Sequence, residues 1–333
     1  MFPCPTIRYN KRSMRLLVLT LFFFSGACGL VYQIVWVRML TQVFGTTATA
    51  VGVVLAAFMS GLALGSWLLG KAADRNPNPL RFYAFLEIGI GLTALVTHLL
   101  LTRITPAYIT LYEISGHSET MFAVARFVLA FGLVTIPTFL MGATLPVLAK
   151  FVVRRLATAG ADLSTLYAIN TVGAVTGVLA CGFYLIGAYG IHLSVYLAVA
   201  GNLGLGLIAW FASSQTNTMP AIPEPPSRAT IKPASSIAQA PSSKTYALVL
   251  FALFLSGLTS FAYEIYWTRS LVFLLGNSTY ALTTMLTAFI AGIALGGYLV
   301  RLVVDRVVDR LALFGWIQVL IAVSSAAALP LLF

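Results

Sequence analysis

The stretch SGACGLVYQIVWVRMLTQVFG, Ser25–Gly45, is matched by SGLTSFAYEIYWTRSLVFLLG, Ser256–Gly276. Both run Ser-Gly, then Tyr-x-Ile-x-Trp-x-Arg, then a closing Gly, without a gap. Extended outward, Phe22–Arg75 and Leu253–Arg306 align at a constant offset of 231 residues with 20 identities in 54 positions. Shared pairs include Tyr32/Tyr263, Trp36/Trp267, Arg38/Arg269, Gly45/Gly276, Phe58/Phe289, Gly61/Gly292, Gly65/Gly296, Asp74/Asp305 and Arg75/Arg306. The chain writes one helix-pair sentence twice.

Those helices belong in a bilayer. The chain is 59% hydrophobic and 9% charged, against about 25% charged in soluble domains. Apolar runs of the length needed to cross a bilayer, about 20 residues, recur throughout. Nine are read: 16–37, 48–70, 82–102, 121–149, 165–186, 191–212, 246–268, 279–300 and 311–333. The first is too long for a signal h-region and has no small-residue cleavage site after it. The expected fold is all-α and polytopic.

The net charge of +11 is a topology signal and not a nucleic-acid signal. With a cytoplasmic N-terminus and alternating loops, sixteen of the twenty Lys and Arg fall inside. Only Arg38, Arg103, Arg126 and Arg269 fall toward the outer side, the bias expected of cytoplasmic loops. The bacterial inner membrane, N-terminus inside, is the expected location, and the lipid bilayer the first partner. Cys4, Cys28 and Cys181 are scattered, with no metal spacing and no evident disulfide.

Residues 213–244, SSQTNTMPAIPEPPSRATIKPASSIAQAPSSK, hold six of the fourteen prolines and too few apolar residues for a core, so a disordered cytoplasmic linker is expected. The organisation is then a tail over 1–15, a six-helix unit over 16–212, the linker, and a three-helix unit over 245–333. Six spans separate the two copies, so both begin on the same face. The halves of major facilitator transporters are related by such a parallel duplication. The second unit reads as incomplete, since only three spans follow the linker.

Candidate functional residues follow from the cost of polar groups in hydrocarbon. Glu264 lies inside span 7, and its mate in the other copy is Gln33, so the position is polar in both. Tyr263 and Tyr32 precede them, and Tyr263 and Trp267 are i, i+4 neighbours. The readings open for this group are a cation-admitting pocket with aromatic sides or an interfacial anchor belt. Glu87 reads as an acid snorkelling to the basic end of span 3. Arg126 reads as an anchor. His98, His117 and His192 show no partner spacing, and no metal site is expected.

Pro137 and Pro146 interrupt the ladder of span 4, and Asn170 and Thr171 lie one turn into span 5. A broken helix beside a polar patch marks a central transport site; kinked packing is the competing reading. Gly61/Gly65, Gly173/Gly177 and Gly292/Gly296 have small-xxx-small spacing and are expected to bring helix backbones together. GKAADRNPNPLR, Gly70–Arg81, resembles the loop 2–3 signature of the major facilitator superfamily. That resemblance implies a cytoplasmic latch at Asp74 and Arg75, repeated at Asp305 and Arg306.

Four stretches together extend the resemblance: SGACGLVYQIVWVRML (25–40), GLALGSWLLGKAADR (61–75), PTFLMGATLP (137–146) and LYAINTVGA (166–174). They look like the membrane region of bacterial fused proteins that join major-facilitator-like helices to a spermidine-synthase-like domain. The resemblance covers nearly all of residues 16–333. It implies the helical fold and an aminopropyltransferase-like domain or partner. No Gly-Gly-x-Asp-Gly loop and no soluble acidic active-site block stands in this sequence, so the chain is expected to be catalytically inert alone and to need no cofactor. The functional expectations are a transporter-like protein for a small cation or polyamine-related metabolite, a non-transporting anchor for an aminopropyltransferase-like partner, or a fragment of a membrane-bound spermidine-synthase-like enzyme.

Overall fold

The computed structural model describes residues 11–114, 118–153, 159–216, 243–276, 278–303, 307, 309–328 and 330. Every regular element among them is helical: α1 (Lys11–Phe44), α2 (Thr47–Arg75), α3 (Pro79–Thr102), α4 (Ile104–Ile114), α5 (Glu119–Val152), α6 (Ala159–Leu179), a π-helical turn (Ala180–Leu185), α7 (Ile186–Thr216), α8 (Ser243–Leu275), α9 (Ser278–Val303) and α10 (Arg310–Ala328). Cys4, His117, Asp305, Arg306 and most of the linker lie outside the described residues.

Eight of the described helical stretches are long and apolar enough to cross a membrane. One of them, Gly160–Ser214, is 55 residues long, about 80 Å if straight, far beyond the ~30 Å hydrocarbon layer. It turns back at Gly190, whose φ of 77° and ψ of 176° leave the helical region. Two core layers prove the reversal. One holds Leu166, Leu205 and Ala209; the other holds Val178, Cys181, Val195 and Val199. The stretch passes from the first layer to the second and returns, which makes nine long apolar helical passes among the described residues.

The same two layers give the direction of the other helices. α1 and α3 run from the layer of Val18 and Leu80 to that of Trp36 and Leu101; α2 and α5 run the opposite way. Arg75, Arg81 and Lys150 gather at the first end, where α1 starts and α7 finishes, here called the basic end.

Glycines set the closest pairings. A Cβ on Gly61 would meet the Thr138 side chain, on Gly65 the Phe139 backbone, and on Gly142 the Leu62 backbone, so α2 and α5 touch main chain to main chain. Gly173 and Gly177 lie likewise against Phe23 and Ala27 of α1. Gly292 and Gly296 depart from the expectation: nothing described lies within 4 Å of either. The reason is that no helix described here covers that face of α9, whereas α5 covers the corresponding face of α2.

α5 also departs from its expectation. It is continuous from Glu119 to Val152 with Pro137 and Pro146 inside. Pro137 has no N–H for the Leu133 carbonyl; Thr97 of α3 supplies a donor instead, at 2.9 Å. The proline is accommodated by a neighbour's hydroxyl, and the helix need not break.

The two copies share their turn. Gly45 and Gly276 end α1 and α8 with φ of 74° and 63°. Each donates its N–H four residues back, to Thr41 and Val272, both at 2.9 Å. Positive φ favours glycine over any residue with a Cβ, which explains the closing Gly of both motifs.

Candidate functional site

α3 starts at Pro79, with Asn78 capping it through its side chain to Arg81 N, so Glu87 stands eight residues, about 12 Å, inside the helix. It is fully buried. This corrects the reading of Glu87 as a snorkelling acid: it faces α1 and α7, not the basic end. Ser25 Oγ of α1 donates to Oε1 at 2.6 Å, and Asn202 Nδ2 of α7 donates to Oε2 at 2.5 Å. Asn202 Oδ1 in turn accepts from Tyr32 Oη at 2.8 Å. Tyr32 stacks on Trp36 at 5.4 Å between ring centroids. Tyr83, one turn before Glu87, is wholly buried too. Cys28 adjoins the group, since a Cβ on Gly201 would come within 2.9 Å of its sulfur.

Three helices thus close a neutral hydrogen-bond network around one carboxyl. Ser25 and Asn202 are uncharged, and the Arg15–Asp162 salt bridge, at 2.8 Å, lies elsewhere. An acid so placed is expensive as a bare anion. It can hold a proton, or it can meet a cation brought in from outside.

The second copy repeats part of this arrangement. Gln318 of α10 stands 231 residues after Glu87, and its Nε2 donates to Ser256 Oγ at 3.1 Å. At this position the first copy carries the acid and the second an amide. At Gln33 and Glu264 the order is reversed. Glu264 is 2% exposed, and its Oε1 has no partner. Gln33 is buried and Tyr263 half-buried.

The remaining candidates sit apart. Asn170 donates to the Phe22 carbonyl at 3.0 Å and Thr171 to Tyr167 at 2.8 Å, both along the α1–α6 seam. Asp74 and Arg75 are exposed at the end of α2, where Lys150 Nζ binds the carbonyls of Ala73, Asp74 and Asn76 at 2.9, 2.6 and 3.0 Å. Arg126 lies over the rings of Phe44 and Phe122. His98 and His192, read as unpartnered, are hydrogen-bonded to each other. Among the described residues no cluster of three metal-ligating side chains occurs. Sequence reasoning missed the Glu87 network, although carrying the 231-residue offset one helix further would have paired Glu87 with Gln318.

No protein-family model matches the chain, and no solved structure matches it. It is similar to polyamine aminopropyltransferase 1 of Streptomyces coelicolor (strain ATCC BAA-471 / A3(2) / M145), 27% identical over 205 residues. The match takes in 60% of this chain and 35% of that protein, so the chain spans about a third of the length of the relative it matches.

Proposed function

We propose that this chain is a multi-pass membrane protein of transporter-like build that binds a small organic cation, polyamine-related in class, at buried acids. The observation that carries the reading is Glu87: a carboxyl at membrane depth, held by Ser25 and Asn202 and with no cationic partner among the described residues. A polyamine is a flexible chain of ammonium groups, and a site that exchanges a proton for an ammonium suits it. Glu264, with Gln33, Tyr32 and Tyr263 as motif neighbours, is the second acid in this reading. The relative's name supplies the polyamine class.

In the same reading the basic end faces the cytoplasm of a bacterial inner membrane, and residues 16–212 and 245–333 are related major-facilitator-like units joined by 213–244. Asp74, Arg75, Asp305 and Arg306 latch them on that side. The shared turn at Gly45 and Gly276 and the paired bonds Ser25–Glu87 and Ser256–Gln318 support the duplication. The test is binding of a radiolabelled polyamine to the full chain in lipid nanodiscs. Glu87→Gln should lower affinity at least about tenfold with the fold retained. Unchanged binding by both Glu87→Gln and Glu264→Gln would remove the reading.

A second reading has one observation behind it: the curated relative is named as an aminopropyltransferase and is about three times longer than the matched region. On this reading the helices anchor an aminopropyltransferase-like domain or partner. Both acid substitutions would then leave that partner's activity and membrane attachment unaltered.

A further inference from the structure

The α3–α7 seam that holds Glu87 carries a second polar group at its far end. His192 Nδ1 and His98 Nε2 lie 3.1 Å apart, with the rings edge to face. Tyr196 meets His98 edge-on at 5.5 Å. His98 is fully buried, and its Nδ1 has no partner; His192 is exposed. His98 stands eleven residues beyond Glu87, three helical turns with about 20° of rotation between them, so both lie on the face of α3 that meets α7. Gly91 and Ala94 fill that face between them, and α7 contributes Val195 and Val199, all in the packed core. Gly190, with its left-handed φ, precedes His192 by two residues.

We propose that His98 and His192 form a proton-operated clasp that closes the α3–α7 seam over the Glu87 network. The clasp rests on the reading of that network as a binding site and names what controls access to it. An imidazole pair shares a hydrogen bond only while one ring keeps a lone pair. A second proton removes the last acceptor and sets two like charges about 3 Å apart. Among the described residues no carboxylate is hydrogen-bonded to either ring. α7 presents His192 and Tyr196 to His98, and α5 presents the Leu133 carbonyl region through Thr97. The described charged groups at this end on α4, α5 and the α3–α4 junction are Arg103, Glu113, Glu119 and Arg126; none is hydrogen-bonded to either ring. Arg38 of α1 is turned to Ser278 of α9. Acidification therefore parts the far ends of α3 and α7, with Gly190 as the swivel.

The test is amide hydrogen exchange of the full chain in nanodiscs, followed over residues 186–200 and corrected for the intrinsic pH dependence of exchange. Between about pH 8 and about pH 4.5, a range that runs well below the ordinary imidazole value so that the second proton can enter, the wild type should lose protection about tenfold. His98→Gln and His192→Gln should each remove that response while keeping the protection seen at pH 8. His192 is exposed, so its variant serves even if His98→Gln fails to fold. Equal protection of the wild type at both pH values, or a response that survives His192→Gln, overturns the clasp. Glu87→Gln should keep the response, so loss of polyamine binding and loss of the clasp are separate results.

Discussion

Gln318 reaches Ser256 across 3.1 Å, and each stands 231 positions after a residue of an already bonded pair, Glu87 and Ser25 at 2.6 Å. The same contact is made twice, once with an acid and once with an amide. The first spans α1 and α3, the second α8 and α10. The two contacts differ in chemistry, an acid in the one and an amide in the other.

That difference is measurable. Ser25→Ala removes a donor from a buried acid and should cost about 1.5–3 kcal/mol, whereas Ser256→Ala removes a neutral bond worth about 0.5–1.5 kcal/mol. Denaturant unfolding in a mild detergent reads both. Equal losses would mean that the two serines stand in equivalent surroundings.

Thr97→Val leaves the Leu133 carbonyl without a donor next to Pro137, at a cost of about 1–3 kcal/mol. Pro137→Ala restores a backbone N–H to that carbonyl. In the Pro137→Ala background the Thr97→Val loss should therefore shrink by more than half. A double-mutant cycle on unfolding free energies checks this, and strict additivity would refute the assigned role of Thr97.

Gly65→Val drives a side chain into the Phe139 backbone and should lower stability by at least about 1–3 kcal/mol. Gly296→Val, at the matching position of α9, meets nothing described within 4 Å and should be nearly silent. The comparison is of thermal midpoints for the two purified variants. A large loss at Gly296 would show that this face is covered.

Lys150→Met strips three carbonyls at the end of α2 of their shared cation. The expected effect is local. Exchange protection at Ala73–Asn76 should fall, with at most about 1 kcal/mol lost overall, the scale of a cation at a helix C-terminus. Lys150→Arg should restore most of it.

The long apolar helices were legible because crossing a bilayer would impose a length and a polarity on each one. The reversal between spans 5 and 6 was also readable, at the glycine that the structure puts in a left-handed turn. Facing was not. Glu87 lies in a helix that is apolar on nearly every side, so no period in the sequence says whether it looks to lipid, water or a neighbour. His98 and His192 are 94 residues apart, and only the antiparallel packing of α3 on α7 brings them together. Pro137 misled for a related reason: the donor that keeps α5 whole lies on another helix, 36 residues away.

Gly190 bears on biosynthesis. The chain turns back there over a few residues, Tyr189, Gly190, Ile191 and His192, with no Lys, Arg, Asp or Glu among them. α6 and α7 can thus leave the ribosome and enter the bilayer as one hairpin, with almost nothing polar to carry across at the tip. The direction in which that hairpin threads is decided by charges at its open end, long before any of its side chains finds a partner.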